Sequence, residues 1–525
     1  MRIPRIVVAG THSGAGKTTL ATGIMAALAS RGRPVQGYKV GPDYIDPSYH
    51  AAATGRPGRN LDRWLLGSEL PRLFIRSAAG SWAVVEGVMG LFDGMSGSKG
   101  FGSTADIAKL IKAPVVLVID AVSLAQSAAA LLFGFDRYDP DLRLQGVIFN
   151  RVKSAAQESM LREAIREQGI PVLGCIPQED RVRLPERHLG LVPVGEEGLA
   201  PDYLERLAAR MEKYVDLSLV EDIMQGAPPA EEDAMPEATA AAGAAGMSEA
   251  GVSETDVSEA SMSGAGVSAV SAPFPSVFPA SASSPGAASP AGASGSGPKR
   301  GIRLGLAWDE AFLFYYRDAL ETLAAKGFEL VPFSPLHDTA LPPKLDGLFL
   351  GGGFPELHLS QLSLNHAFLR SLRTFAQSEK PIYAECGGYM YLGRGIRDFQ
   401  GKRFPLAGVI PAEAEMTPHL QGMGYREGRL ALDTFLGPIG TVVHGHEFHY
   451  SRVLPPSGEA PAWQLYKSGS FLRSDGYARG SLFASYLHLN FAGQPEILDH
   501  WLNYSQHPVP SGRQESSKAA DLSRV

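Results

Sequence analysis

Two groups of residues in this chain have the types and spacing to do chemistry, and they lie far apart. The first is Gly10-Thr11-His12-Ser13-Gly14-Ala15-Gly16-Lys17-Thr18-Thr19. It is a variant of the phosphate-loop pattern G-x-x-x-x-G-K-[ST], with Thr11 in the first position and the glycine one place earlier, at Gly10. Gly14 and Gly16 let the backbone curl so that its N–H groups point inward, and the helix that follows adds positive potential. Lys17 can reach the β- and γ-phosphates of a nucleotide, and the Thr18 hydroxyl can sit on Mg²⁺, with Thr19 beside it. The second group is Ala384-Glu385-Cys386-Gly387-Gly388, with His488 close to the end of the chain. A strand-to-helix elbow would expose the Cys386 thiol beside a helix N-terminus, which favours thiolate. N–H groups of Gly387 and of the run Gly351-Gly352-Gly353 can form an oxyanion hole, and His488 can act as general base. A lone cysteine is also a common small core residue; the elbow and the glycine run weigh against that role here.

A phosphate loop needs acids nearby. The segment 83–87, Ala-Val-Val-Glu-Gly, is an apolar strand ending in Glu86, the right form for a metal-directed carboxylate. Asp43 and Asp46 follow the second strand in Lys39-Val40-Gly41-Pro42-Asp43-Tyr44-Ile45-Asp46-Pro47, and such loops form the ligand crevice of parallel sheets. Spacing alone serves a metal- or substrate-binding role and a purely conformational turn equally well. Asn150 closes another strand, where its amide could pair with an adenine edge or cap a turn. His444-Gly445-His446-Glu447-Phe448-His449 looks metal-like but is not H-E-x-x-H. On a strand, His444 and His446 share one face while Glu447 and His449 share the other. A polar surface lining a substrate cleft is the better reading.

The elements that must position these residues read as α/β. With 525 residues the chain exceeds the roughly 250–300 at which a single core stops growing, so more than one domain is expected. Strands are expected at 5–10, 35–40, 83–86, 114–120, 146–150 and 172–176, with a helix from about Lys17 whose apolar positions include Leu20, Ile24, Ala27 and Leu28. A second set is expected at 302–307, 328–333, 347–350, 382–385, 441–444 and 481–487. Between the sets, from about 226 to 298, the chain is Ala, Ser, Gly, Pro and Glu, with loosely repeated phrases and no Lys or Arg between Lys213 and Lys299. This reads as a disordered tether. The expected organisation is residues 1–225, tether 226–298, a second domain 299–505, and a frayed tail 506–525. Net charge is −7 with no basic block, which argues against nucleic acid. No run of about 18 apolar residues suggests a membrane span, and the N-terminus lacks a signal-peptide pattern. Two cysteines, Cys175 and Cys386, exclude a disulfide scaffold or a multi-thiolate zinc site. These features suit a cytoplasmic enzyme.

Several long motifs, in order, resemble a known family. The phosphate loop together with Val85-Glu86-Gly87-x-x-Gly90 looks like the dethiobiotin synthetase group of P-loop enzymes. The second half resembles class I glutamine amidotransferase domains of the cobyrinic and cobyric acid synthase kind, a flavodoxin-like α/β fold. Four stretches, 39–47, Glu86-Gly87-Val88-Met89-Gly90-Leu91-Phe92-Asp93-Gly94, 351–356 and Gly445-His446-Glu447-Phe448-His449-Tyr450-Ser451, complete the resemblance to the cobyrinate a,c-diamide synthase family. It implies ATP and Mg²⁺ as cofactors, glutamine and a corrinoid polycarboxylate as small-molecule substrates, and a homodimer as the candidate assembly. ATP would phosphorylate a peripheral carboxylate. Glutamine would be hydrolysed through a Cys386 thioester, and the ammonia would displace phosphate at the a and c side chains in turn. Asp43, Asp46, Glu86 and Asp93 are then the acids near metal, intermediate and substrate, with Lys39 and Tyr44 at the substrate and Gly352, Gly353 and Gly387 at the oxyanion. One departure stands out: many such amidotransferase domains carry Glu two residues after the catalytic His, and here that position is Asn490, which cannot stabilise an imidazolium as a carboxylate does. The resemblance leaves cobyrinate, hydrogenobyrinate and nickel-sirohydrochlorin open as substrates. A partner-positioning P-loop ATPase would leave the Cys386/His488 half unexplained, as would a carboxylase like dethiobiotin synthetase.

Overall fold

The computed structural model describes residues 1–95, 100–178, 186–187, 190–191, 200, 202–232, 301–454 and 459–507. Most of the expected tether and nearly all of the tail lie outside the described residues. The chain divides into two compact units. The first holds Met1–Arg63 and the chain from Leu70 onward; the second holds Trp64–Glu69 and the C-terminal half.

The first unit is a seven-stranded parallel sheet: β1 (Arg5–Gly10), β2 (Val35–Val40), β3 (Arg59–Leu61), β4 (Trp82–Glu86), β5 (Val115–Asp120), β6 (Leu144–Val152) and β7 (Val172–Pro177). The spatial order is β3-β2-β4-β1-β5-β6-β7. Strand order reverses at β1, which lies between β4 and β5, and such a switch point opens a crevice at the carboxyl ends. Every residue of β1 and β2 is buried, as unalternating Val-rich runs require when helices cover both faces. Helix α1 (Lys17–Ser30) starts at Gly16, whose φ of 99° suits glycine, and buries the expected Leu20, Ile24, Ala27 and Leu28.

Arg5 is the exception inside this core. Its side chain is fully buried, and its guanidinium donates to the carbonyls of Ile111 (2.7 Å), Ile3 (2.8 Å), Lys112 (3.1 Å) and Pro228 (2.6 Å). Burial, with Arg143 adding repulsion, lowers its pKa to about 10, so it stays charged at neutral pH. The Arg5 and Met1 contacts hold the chain on the first unit as far as Ala230, whose N–H donates to Met1 O at 2.8 Å.

The second unit centres on a six-stranded sheet in the order Phe328–Phe333, Ile302–Ala307, Gly347–Leu350, Ile382–Glu385, Leu482–Ser485, Tyr477–Arg479, parallel except for the last pair. A five-stranded antiparallel sheet contains Gly422–Leu430, Val442–His449 and His488–Leu489. The single strand expected at 481–487 is shorter, ending at Ser485, and His488 belongs to the other sheet. The reason is local: the Tyr486 N–H donates to Asp475 Oδ2 (3.0 Å) and the Leu489 N–H to Glu385 Oε1 (3.0 Å), so two side-chain carboxylates draw the backbone out of the ladder. The strand expected at 441–444 runs on to His449. No helix among the described residues is long and apolar enough to cross a membrane.

Arg5→Met removes a buried cation but leaves its carbonyl partners unsatisfied, at a cost of about 1–3 kcal/mol for each buried group stranded. The first unit should unfold several degrees earlier by calorimetry; an unchanged transition would show that the network contributes nothing.

Candidate active sites

In the first unit, the loop after β1 is locked to its neighbours. Thr11 N–H donates to Val118 O (3.2 Å), and Asn150 Nδ2 donates to Ala15 O (2.9 Å). A Cβ on Gly16 would lie 2.2 Å from Asn150 Nδ2, so glycine is required there for contact as well as for φ. Asn150 thus braces the loop. Thr11 and Asp120 line a cavity of about 400 Å³ with His12, Leu124, Leu131 and Phe135, at the carboxyl end of β5. Gly14 is exposed at the tip of the loop, while Thr18 and Thr19 are half-buried at the start of α1.

Lys17 is buried, and its ammonium donates to His12 O (2.9 Å). Burial first, and then the neighbouring Lys39, lower its pKa to about 8, against the pull of Glu86, Asp46 and Asp93. Behind it lies a dense charge cluster. Lys39 Nζ contacts Asp46 Oδ2 (2.5 Å) and Glu86 Oε1 (2.7 Å), Thr18 Oγ1 donates to Glu86 Oε1 (2.5 Å), and His50 Nε2 contacts Glu86 Oε2 (2.7 Å). Burial opposes the charge on Glu86, but Lys39 and His50 outweigh it and hold its carboxyl well below the usual range. Burial, reinforced by Glu86, pushes Asp46 the other way, well up. Two carboxylates sharing one ammonium divide in this way because both cannot ionise at full strength.

The structure brings Lys17, Thr18, Lys39, Asp46 and Glu86 together. Asp43 is different. Its Oδ1 accepts the N–H groups of Ile45 (2.7 Å) and Asp46 (3.0 Å), so it forms the turn into helix α2 (Asp46–Thr54), with half-buried Tyr44 in that turn. Asp93 Oδ2 accepts the Gly90 N–H (2.9 Å), and a Cβ on Gly90 would meet Thr11 O at 2.9 Å, so this turn packs on the phosphate loop. Thr18 and Glu86 present hard oxygens of the kind Mg²⁺ takes, and Thr18 Oγ1 is close enough to Glu86 for one ion to contact both. Both Glu86 oxygens already have partners in Thr18, Lys39 and His50. Among the described residues no group of three or more His, Cys, Asp or Glu could hold a metal. His50 was not singled out by sequence reasoning; its signal was the i, i+4 spacing from Asp46 on one helical face.

In the second unit, Cys386 sits at the end of Ile382–Glu385 with φ 45° and ψ −101°, a strained elbow for a non-glycine residue, and opens the short helix Gly387–Leu392. The glycine run joins it to the histidine. A Cβ on Gly352 would lie 2.5 Å from His488 Cε1, and one on Gly387 would lie 3.1 Å from Gly353 N. Gly353, with φ +153°, is hemmed in by Ala311 O. These close approaches admit only glycine and pack His488, the glycine run and the cysteine turn together.

Burial pushes the Cys386 thiol far up, and Glu356 adds to this against the opposing Gly387 N–H. The expectation that a helix N-terminus would favour thiolate is therefore corrected: desolvation and nearby acids outweigh one short helix. The cysteine rests as a thiol and needs a base.

The histidine-rich strand has its predicted facing, but its groups are mostly buried rather than lining a polar cleft. His446 stacks on His488 (centroids 5.0 Å apart) and its Nδ1 meets Tyr316 Oη at 3.1 Å; burial, with His488 next, holds it neutral. Glu447 is ion-paired with Arg426 (2.8 Å) and with Arg473. His449 stacks on Tyr486 at 3.7 Å.

Two outcomes follow. Lys17 carries its charge below about pH 8 and loses it above, so affinity for a non-hydrolysable ATP analogue should fall as pH rises through 8; a flat affinity to pH 10 would contradict the shift. Alkylation of Cys386 by iodoacetamide, scored by peptide mass, should be slow at pH 7 and rise roughly tenfold per unit toward pH 10. A plateau below pH 8 would mean a resting thiolate.

Comparison with known proteins agrees with this division. Residues 6–192 match the CobQ/CobB/MinD/ParA nucleotide binding domain, and residues 303–496 match the CobB/CobQ-like glutamine amidotransferase domain. The chain is 39% identical over 503 residues to a cobyrinate a,c-diamide synthase of Syntrophotalea carbinolica, covering 94% of this chain and 97% of that protein. It is 43% identical over 498 residues to a hydrogenobyrinate a,c-diamide synthase of Streptomyces coelicolor, covering 94% and 96%. A cobyrinate a,c-diamide synthase of Salmonella typhimurium is 38% identical over 503 residues, covering 94% and 97%. With relatives this similar over nearly their whole length, and matches to both a nucleotide binding and a glutamine amidotransferase domain, the chain belongs to the family of cobyrinate and hydrogenobyrinate a,c-diamide synthases.

Proposed function

We propose that this chain is a glutamine-hydrolysing, ATP-dependent ligase that converts the a and c carboxylates of a corrin-type polycarboxylate to amides in cobalamin biosynthesis. The observation that carries this reading is the pairing, in one chain, of a phosphate loop backed by the Lys39–Glu86–Asp46 cluster with a strained cysteine elbow that packs, through the glycine run, with His488. A carboxylate is a poor acyl donor. Transfer of the γ-phosphoryl group of ATP to a carboxylate oxygen supplies a leaving group, and ammonia then displaces phosphate to give the amide.

Lys17 neutralises phosphate charge as it develops, and the loop N–H groups fix the phosphates in line with the attacking carboxylate. Thr18 and Glu86 would hold Mg²⁺, which would supply positive charge against the phosphates. Lys39 keeps Glu86 ionised for that task. Asp46, raised by burial first and then by Glu86, is suited to exchange a proton with the incoming ammonia. At the other site, Cys386 attacks the glutamine carboxamide, its proton passes to His488, and that proton leaves with ammonia. The Gly353 and Gly387 turns pack against each other, and their N–H groups would serve as donors to the tetrahedral oxyanion. ATP and glutamine are cytoplasmic metabolites, and we place the enzyme in the cytoplasm.

The similarity to both a cobyrinate and a hydrogenobyrinate enzyme keeps a cobalt-bearing and a metal-free macrocycle in play. Offering Mg·ATP and glutamine with cobyrinic acid, hydrogenobyrinic acid or nickel-sirohydrochlorin separately, and following product mass with ADP, distinguishes them. A diamide from one of the first two, with ADP formed in step, is expected. ATP turnover with no amide from any would overturn the reading. Cys386→Ala should cut glutamine-dependent product by about a thousandfold or more, while ammonia-dependent product persists. Loss of both in a folded variant would contradict the two-site division.

A further inference from the structure

A base that takes a proton from a buried thiol needs something to hold its ring and stabilise the imidazolium. The position two residues after His488, where such an acid is expected, is Asn490. Its side chain does not serve: Oδ1 accepts the Ala492 N–H (3.2 Å) and caps the turn Phe491–Gly493. A carboxylate nevertheless reaches the ring from another element. Glu385 Oε2 lies 3.6 Å from His488 Nδ1, with both side chains at least 97% buried. The other oxygen is fixed, since Oε1 accepts Tyr383 Oη–H (2.7 Å) and the Leu489 N–H (3.0 Å). The second contact ties the carboxylate to the backbone one residue beyond His488. Groups facing the ring include Glu385 from the parallel sheet and His446, stacked on it from the antiparallel sheet and held neutral.

We propose that Glu385, the residue immediately before the nucleophile, is the positioning carboxylate for His488 and replaces the acid missing at Asn490. This rests on the reading of Cys386 and His488 as the glutaminase pair. At 3.6 Å the contact is slightly too long for a hydrogen bond, as catalytic contacts often are before substrate binds. It selects the tautomer with hydrogen on Nδ1 and leaves Nε2 as the base. The Cys386 Sγ–H bond then breaks toward Nε2 as the Sγ–C bond to the glutamine carboxamide forms. The C–N bond breaks with return of that proton to the departing ammonia, and water hydrolyses the thioester to glutamate. Glu385 keeps its charge throughout and touches no reacting atom. The arrangement links nucleophile and orienting acid in one dipeptide, so a single strand end sets both.

Three variants test this. Glu385→Gln keeps shape and hydrogen-bonding capacity but removes charge. It should lower glutamine-dependent kcat by about a hundredfold or more, leave the KM for glutamine within about threefold, and shift the acidic limb of the glutaminase pH profile to lower pH. Ammonia-dependent amidation should persist and report folding. Glu385→Asp should recover part of the rate. Tyr383→Phe removes one donor from the carboxylate, makes it a stronger partner, and should shift the same limb to higher pH; it decides the matter if Glu385→Gln does not fold. Glutamine-dependent kcat within threefold of the parent in Glu385→Gln, or an unmoved limb in Tyr383→Phe, would overturn the proposal. Failure of the underlying reading would look different: the parent protein would hydrolyse no glutamine, and Cys386→Ala would match it.

Discussion

A parallel strand covered on both faces can carry a charged or reactive side chain only at its end, where the layers of helix part. That constraint organises this protein. β4 reads Trp-Ala-Val-Val and then Glu86, β5 reads Val-Val-Leu-Val-Ile and then Asp120, and Ile-Tyr-Ala in the second unit is followed by Glu385 and Cys386. The polar residue is placed by the apolar run before it: hydrophobic burial fixes the strand, and the strand delivers the carboxylate to the crevice. Every functional group described above sits at such an end, in the turn just after one, or against one.

Charge brought to a buried strand end must be compensated, and the two sites do this differently. At the phosphate loop one ammonium, Lys39, is shared by Glu86 and Asp46, and His50 takes the remaining oxygen of Glu86. Lys39 and His50 leave Glu86 firmly ionised, while burial and then Glu86 raise Asp46, two acid strengths within one cluster. At the thiol site compensation is slight. Glu385 has a tyrosine hydroxyl, a backbone N–H and the edge of an imidazole, and burial keeps Cys386 protonated. The first site is therefore charged before its substrate arrives. The second is close to neutral at its nucleophile, which limits idle chemistry by a free thiolate.

Much of this was legible in the sequence, for a physical reason. Buried parallel strands are continuous apolar runs, so β1, β2 and the strands at Ile302–Ala307, Phe328–Phe333, Gly347–Leu350 and Ile382–Glu385 fell where their composition put them. The phosphate loop and the cysteine elbow were legible because their glycines are demanded by backbone geometry and close contact within a few residues. What was not legible depends on groups remote in sequence. The break at Ser485 comes from Asp475 and Glu385 capturing two backbone N–H groups, which no local pattern announces. Asp43 could not be told apart as a turn former from spacing alone. His50 carried only a weak helical signal, and the resting thiol of Cys386 is set by burial and by Glu356, not by the local helix start.

In the proposed reaction ATP is spent on a carboxylate oxygen so that ammonia can replace it. The most direct measurement uses macrocycle labelled with ¹⁸O in its carboxylates and glutamine labelled with ¹⁵N in its amide, followed by mass analysis of the phosphate and the product. Each amide formed should be matched by one ¹⁸O in inorganic phosphate, with ¹⁵N in the amide. Amide formed alongside unlabelled phosphate would contradict it, because ATP would then be hydrolysed without ever bonding to the carboxylate.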